Sequence, residues 1–329
     1  MEILLNKNWK INLIKKAVFL GSKKLGLNIA KTLISSNNEI SWIILCPNDL
    51  DDKRNNFKEF KNFGISQSIQ VEMVENNSEI IECIKVFEPE IIFVSGYYKI
   101  LSKKVLDIPK LGIFGFHNSI LPKYRGGSPL VWQLINGEDL IGSTLFKLGE
   151  GMDDGPVVDY VAVKNLNLNI KQAMDLIEEQ WIKKLPQIMD DFCKGLIKLT
   201  EQDHDKATFC KSRTETEGLI DWSKSSDYID RFIKAQSAPY PMSFFKFKNL
   251  NYKVSNHEII NIEHSGNTGE FYNYQNKSLL VVCGDNAILK INEIYIGDEK
   301  FKISKFLKDN NFKKIKSKKL FKFFKIWIY

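Results

Sequence analysis

Gly115-Phe116-His117-Asn118-Ser119-Ile120-Leu121-Pro122-Lys123-Tyr124-Arg125-Gly126-Gly127-Ser128-Pro129 is the segment around which the rest of the chain can be read. It grows out of a mostly apolar run, Leu111 to Phe116, that predicts a short buried strand. His117 therefore stands at the strand's carboxyl end, where open α/β sheets keep their sites. The residues that follow make a stiff loop: Pro122 fixes φ, and Gly126-Gly127 permit positive φ or close approach of a ligand. Further on, Gly151-Met152-Asp153-Asp154-Gly155 can return a carboxylate to the same place. A histidine, a positioned carboxylate and a preformed loop are the parts of a general acid–base site.

Upstream, strands alternate with helices. Lys16 to Gly21, Glu39 to Cys46, Ile69 to Val74 and Ile91 to Gly96 predict strands. Helical spacing runs from Lys23 to Ile34 and from Asn77 to Phe87, with polar loop and helix between Pro47 and Phe63. Most of these strands are nearly all apolar, which implies a mostly parallel, Rossmann-like sheet covered on both faces. Gly21-Ser22-Lys23-Lys24-Leu25-Gly26 lacks the GxGxxG spacing and reads as a tight strand-to-helix turn, so no dinucleotide is implied. Downstream, Val131 to Ile135 is helical, Ser143 to Leu148 and Val157 to Val163 are strands, and Ile170 to Leu196 is a long helix with Pro186 inside it.

Lys198 to Ser212 is polar and charged and reads as a linker. Beyond it a helix runs through Ile233, with Ser223 or Asp221 as its cap. From Ser243 to Ile296 short alternating strands with Asn/Gly turns predict a small β-barrel-like domain. The expected division is 1–200, 209–310 and a tail, 311–329.

Composition narrows the function. The 329 residues, 43% hydrophobic and 26% charged, allow two domains and a sizeable core. No apolar run reaches the roughly 18 residues of a transmembrane helix, and the amino terminus lacks a signal-peptide pattern. The five cysteines contain no CxxC pair and the four histidines no metal-ligand spacing, which predicts reduced thiols in a cytoplasm and no metal. The net charge of +7 resides in the tail, whose seven lysines are joined by no acid. Without them 40 bases face 40 acids, so the body is not a nucleic-acid binder by composition.

The central segment resembles the folate-dependent formyltransferase family, whose pattern is Asn-x-His, then x-Ser-Leu-Leu-Pro-x-Tyr-Arg-Gly, then Asp-x-Gly. His117, Ser119, Leu121-Pro122, Tyr124-Arg125-Gly126, Pro129, Asp153 and Gly155 match it, as does the lead-in Val94-Ser95-Gly96-Tyr97-Tyr98-Lys99. Glu217-Gly218-Leu219-Ile220-Asp221-Trp222 is similar to the segment before that family's oligonucleotide-binding-like (OB-like) barrel. The resemblance spans about 16–310, in the two-domain form shared by methionyl-tRNA formyltransferase and nucleotide-sugar N-formyltransferases.

What the resemblance implies is transfer of formyl from N10-formyltetrahydrofolate to an amine. An imidazole, ordinarily titrating near ~6.5, suits removal of the amine's proton. His117 takes that role and Asp153 orients and charge-balances the ring. Gly96, Tyr97, Leu121, Pro122, Tyr124, Arg125 and Gly126 would line the folate pocket, and Asp154 is the second-ranked carboxylate. One departure stands out: the family's Asn two residues before the histidine is Gly115 here. That Asn donates to the formyl oxygen, so Asn118, a backbone N–H or His117 itself would have to stand in.

Initiator-tRNA enzymes of the family carry a basic loop after the second strand. Asn48 to Asn56 holds three acids and two bases. The expectation is therefore an N-formyltransferase for a 3- or 4-amino sugar nucleotide of bacterial surface polysaccharide, such as lipopolysaccharide O-antigen, acting as a homodimer. Methionyl-tRNA formylation is the second expectation, and an inactive folate- or nucleotide-binding module the third. The lysine- and aromatic-rich tail is suited to an anionic membrane surface or to docking, as an extra strand or helix, on the body or on a second subunit.

Overall fold

The computed structural model describes residues 14–314. The chain divides into two compact units. The first ends at Ser212, and the second gathers Arg213 onward together with Leu134–Glu138 and Asn167–Lys171.

In the first unit the elements follow in order: β1 (Lys16–Leu20), α1 (Lys24–Ser36), β2 (Ser41–Pro47), α2 (Phe57–Gln67), β3 (Gln70–Val74), α3 (Asn77–Phe87), β4 (Ile91–Val94), α4 (Lys103–Leu106) and β5 (Gly112–His117). Next come β6 (Arg125–Gly126), α5 (Pro129–Asn136), β7 (Leu140–Lys147), β8 (Val157–Lys164), α6 (Ile170–Lys194) and β9 (Phe209–Cys210). Seven strands form one sheet, in the order β3-β2-β1-β4-β5-β7-β8. β1 to β5 pair in parallel, while β7 and β8 join antiparallel. The mostly parallel, Rossmann-like expectation holds, and the order reverses between β1 and β4, as in doubly wound sheets.

Alternation along β5 settles where the histidine faces. Phe114 and Phe116 share one face and pack edge-on against α6, with ring centroids 4.8 Å from Phe192 and 5.1 Å from Trp181. Ile113, on the opposite face, joins the core of Val18, Leu20, Ile43 and Val94. Gly115 and His117 share Ile113's side. A one-residue slip would exchange the two sets and place both phenylalanines where His117 belongs.

One stretch departs from the sequence reading. The run 198–212 is not a plain linker: Thr200 bridges Val157, and β9 pairs in parallel with β6. Two-residue strands are too short to show any periodicity.

The second unit contains α7 (Ser226–Ala235), β10 (Phe244–Phe247), β11 (Leu250–Ile260), β12 (Phe271–Tyr274), β13 (Ser278–Val282), β14 (Ile288–Ile296), β15 (Glu299–Phe301) and α8 (Ile303–Asn310). The cap of α7 is Ser225, whose hydroxyl accepts from Tyr228 N, and not Ser223 or Asp221. The antiparallel sheet has the order β10-β11-β14-β13-β12, with β15 on β14, the expected barrel-like architecture. Phe245, Tyr252 and Phe306 fill it, with Tyr252 4.6 Å from Phe306. Of the tail 311–329, only residues to Lys314 are described: Phe312 packs on Phe247 and Phe271, and Asn273 N donates to Lys313 O at 2.9 Å. The membrane reading of that tail falls chiefly outside the described residues.

Candidate active site

His117 ends β5 and is 8% exposed. Its Nε2 lies 2.8 Å from the Tyr124 carbonyl oxygen. A carbonyl can only accept, so Nε2 carries the hydrogen and Nδ1 is the basic nitrogen of the neutral ring. Nδ1 stands 3.5 Å from Asp153 Oδ2, and the same carboxylate oxygen accepts from Gly126 N at 2.8 Å. Phe146 packs edge-on to the imidazole at 6.3 Å. A proton arriving at Nδ1 would thus meet a counter-charge already held in place by a backbone amide.

The loop that makes this possible is stiff. Ser119 Oγ donates to Lys123 O at 2.6 Å, and Leu121 N donates to Thr144 Oγ1 at 3.1 Å. Tyr124, Ser128 and Asp153 all have positive φ, uncommon outside glycine. At Gly126, with φ of +101°, a Cβ would sit 2.4 Å from the Cys210 carbonyl oxygen, so glycine alone fits.

The structure brings His117, Asp153, Tyr124 and Gly126 together. Asn118 is half-buried: its carbonyl takes Gln133 Nε2 at 2.7 Å, and its Oδ1 is buried without a hydrogen-bond partner. Asp154 is not brought to His117; its carboxylate folds over its own loop, where a Cβ at Gly151 would lie 1.9 Å from Oδ2. Arg125 also differs from the pocket-wall expectation. It is 4% exposed, and its guanidinium donates to Gln202 Oε1 at 2.7 and 3.2 Å and meets His204 Nδ1 at 3.1 Å. A buried guanidinium needs such acceptors, so its side chain braces the loop. Leu121 is buried and Pro122 half-buried in the same loop, while Gly96 and Tyr97 follow β4, Tyr97 packing on the core beside Val94.

Gly115 has a structural counterpart. A Cβ there would meet Leu148 Cδ2 at 2.9 Å and Phe146 Cε1 at 3.4 Å, so Leu148 occupies the space a longer side chain would need.

Sequence reasoning missed Gln202, Thr208 and Cys210, all in the run read as linker. Thr208 accepts from Tyr124 N through Oγ1 and from Arg125 N through its carbonyl, both at 2.8 Å. Burial, and then the charge of Asp153, push the Cys210 thiol up to about 11. Their partners are loop backbone far away in sequence, which no local pattern reports. Among the described residues, no group of three or more His, Cys, Asp or Glu could hold a metal ion.

A second polar cluster sits at the carboxyl ends of β1 and β2. Lys23 Nζ contacts Asp49 Oδ2 at 2.5 Å and Asp52 Oδ2 at 3.0 Å, and Arg54 grips Asp52 at 2.8 and 3.0 Å. Burial pushes Asp52 up, yet Arg54 and Lys23 together hold it well below the usual carboxylate range. Ser22 Oγ also donates to Asp49 at 2.9 Å, and Asn56 N to Ser22 O at 2.7 Å, which closes the loop over the glycine turn.

The chain is 27% identical over 306 residues to the methionyl-tRNA formyltransferase of Clostridium acetobutylicum, covering 91% of this chain and 98% of that one. Its fold matches an N-formyltransferase from Helicobacter canadensis solved with folinic acid and dTDP-3-aminofucose, with a TM-score of 0.64, 14% identity and coverage of 86% and 100%. It also matches HypX from Aquifex aeolicus in complex with tetrahydrofolic acid, with a TM-score of 0.64, 15% identity and 92% of this chain covered. The chain spans about half the length of that protein, 49%. Residues 15–187 match the family described as formyl transferase and residues 213–311 its C-terminal domain, so the chain belongs to the formyl transferase family.

Proposed function

We propose that this protein moves a formyl group from N10-formyltetrahydrofolate to the amine of a nucleotide-linked amino sugar, with His117 as the base and Asp153 as its charge partner. The observation that carries the chemistry is the fixed imidazole: Nε2–H is committed to Tyr124 O, leaving Nδ1 to take the amine's proton beside Asp153. Gly96, Tyr97, Leu121, Pro122, Tyr124 and Gly126 would hold the folate cosubstrate, which supplies the formyl group. Asn118 is the stand-in for the donor that Gly115 lacks, although Leu148 fills the space beside Gly115 itself. Its amide, turned about χ2, presents either an oxygen or an N–H at a position where the protein offers no partner.

The acceptor assignment rests on the loop after β2. Lys23 and Arg54 are engaged by Asp49 and Asp52, and charge so engaged contributes little to neutralising a tRNA backbone. A sugar nucleotide asks only for one diphosphate and one base. Methionyl-tRNA formylation is the second reading, favoured by the near full-length similarity to a methionyl-tRNA formyltransferase. Five free cysteines support a cytoplasmic setting, and a homodimer and a membrane-facing tail complete the proposal.

The test is a formyl-transfer assay with dTDP-, GDP- and UDP-linked 3- and 4-amino sugars beside methionyl-tRNA. Turnover of one sugar nucleotide sustains the first reading. Turnover of tRNA alone replaces it with the second, and folate binding with no turnover makes the protein a binding module.

A further inference from the structure

Gln202 is 6% exposed between Glu201 and Asp203–Lys206, which are all polar and exposed, and every polar atom of its amide is used. Nε2 donates to the Asp153 carbonyl at 2.9 Å and to the Gly155 carbonyl at 2.7 Å. Oε1 accepts both Arg125 bonds, at 3.2 and 2.7 Å. Arg125 is flanked by the two residues that hold the site's other ends: Tyr124 O takes His117 Nε2, and Gly126 N holds the Asp153 carboxylate. Asp153 itself has a φ of +50°, which a non-glycine residue keeps only where its surroundings over-determine it.

We infer that Gln202 is a positioning residue for the reaction: its amide locks the Asp153 loop to the Arg125 loop and so sets the Asp153 carboxylate against His117. The inference rests on the proposed formyl transfer at His117. An amide is the group this place requires. It must donate twice on one side, to carbonyls, and accept twice on the other, from a guanidinium, and no other neutral side chain of that length does both. Glutamate keeps the shape and suits Arg125, but it turns two donated bonds into two oxygen–oxygen repulsions. Gln202→Glu therefore attacks the Asp153 side of the clamp alone.

The experiment is a double-mutant cycle in the full-length protein, joined to amide exchange. Gln202→Glu is expected to lower kcat about 10- to 100-fold with the folate KM changed less than about twofold. In an Asp153→Ala background the same substitution should cost less than about twofold, because the group it acts through is gone. The Gly126 amide, which donates to Asp153, should exchange at least tenfold faster while the central-sheet amides of β1 and β4 exchange as before. Arg125→Lys, which keeps the charge but loses the two-pronged grip on Oε1, should show a smaller loss with the same masking, and it covers failure of Gln202→Glu to fold.

Full additivity with Asp153→Ala, or equal acceleration of exchange across the whole sheet, would overturn the inference in favour of a general stabilising role. Failure of the formyl-transfer reading looks different. The unsubstituted protein would then be inactive on every acceptor, and the Gly126 exchange would decide by itself whether Gln202 positions Asp153.

Discussion

Two polar clusters sit at carboxyl ends of strands in the same sheet, and they are built on opposite plans. At β1 and β2 charge meets charge: Lys23 and Arg54 are spent on Asp49 and Asp52. At β5 the ionisable side chains are held mainly by backbone and neutral groups: His117 by a carbonyl, Asp153 by an amide, Arg125 by the Gln202 oxygen. His117 and Asp153 stand 3.5 Å apart, beyond a tight ion pair. Side chains paired with opposite charge are satisfied and inert, whereas side chains held by neutral dipoles keep their own charge available to a reacting group.

The sharpest way to break that contrast is at the imidazole. His117→Ala should lower kcat/KM about 10²- to 10⁴-fold while folate binding, followed by fluorescence titration, is retained. A comparable loss from Lys23→Ala would erase the distinction between the clusters.

Cys210 gives a reading of the Asp153 charge that needs no turnover. With its thiol pushed up to about 11, alkylation by iodoacetamide at pH 8 should run about 10²-fold slower than for a free thiol near ~8.5. The folded-state value is raised, so the protection persists through neutral pH and is lost as pH rises toward 11. Asp153→Asn should speed the reaction; an unchanged rate would mean burial alone is responsible.

At the charge-paired cluster the expected effect is on stability. Lys23→Met removes the cation that Asp49 and Asp52 share and should cost about 1–3 kcal/mol, read from the urea midpoint, with kcat on the accepted substrate within about twofold. Smallest of all is a repair. Gly115→Asn combined with Leu148→Ala vacates the space Leu148 fills, and should raise kcat about tenfold by adding a donor, whereas Gly115→Asn alone should bring no gain.

The legible parts of the molecule were those with local signals. α3 reads from Asn77 to Phe87 because Asn76 caps it, accepting from Ser78 N and Glu79 N, and because Glu88 takes a left-handed turn just before Pro89. His117 and Asp153 were legible through a stiff loop rich in Pro and Gly and through the family pattern around them. What stayed hidden depends on partners distant in sequence. Gln202 acts on backbone carbonyls 47 and 49 residues away, Arg125 is buried by that contact, and Leu148 fills the room beside Gly115 from beyond the end of β7. Asp154 was the converse case: it has the right residue type one step along, but its carboxylate lies against Gly149 and Gly151 of its own loop.

The run from Thr200 to Ser212 also decides where this gene tolerates a crossover. It lies between the two family matches, which end at 187 and resume at 213, so a chimaera builder guided by those limits would splice there. Such a joint would hand the first unit a foreign Gln202, Thr208 and Cys210, the residues that brace its own His117 and Asp153 loops. A joint placed downstream of Ser212 should therefore leave the strap with the loops it braces, whereas one placed within the run should loosen them.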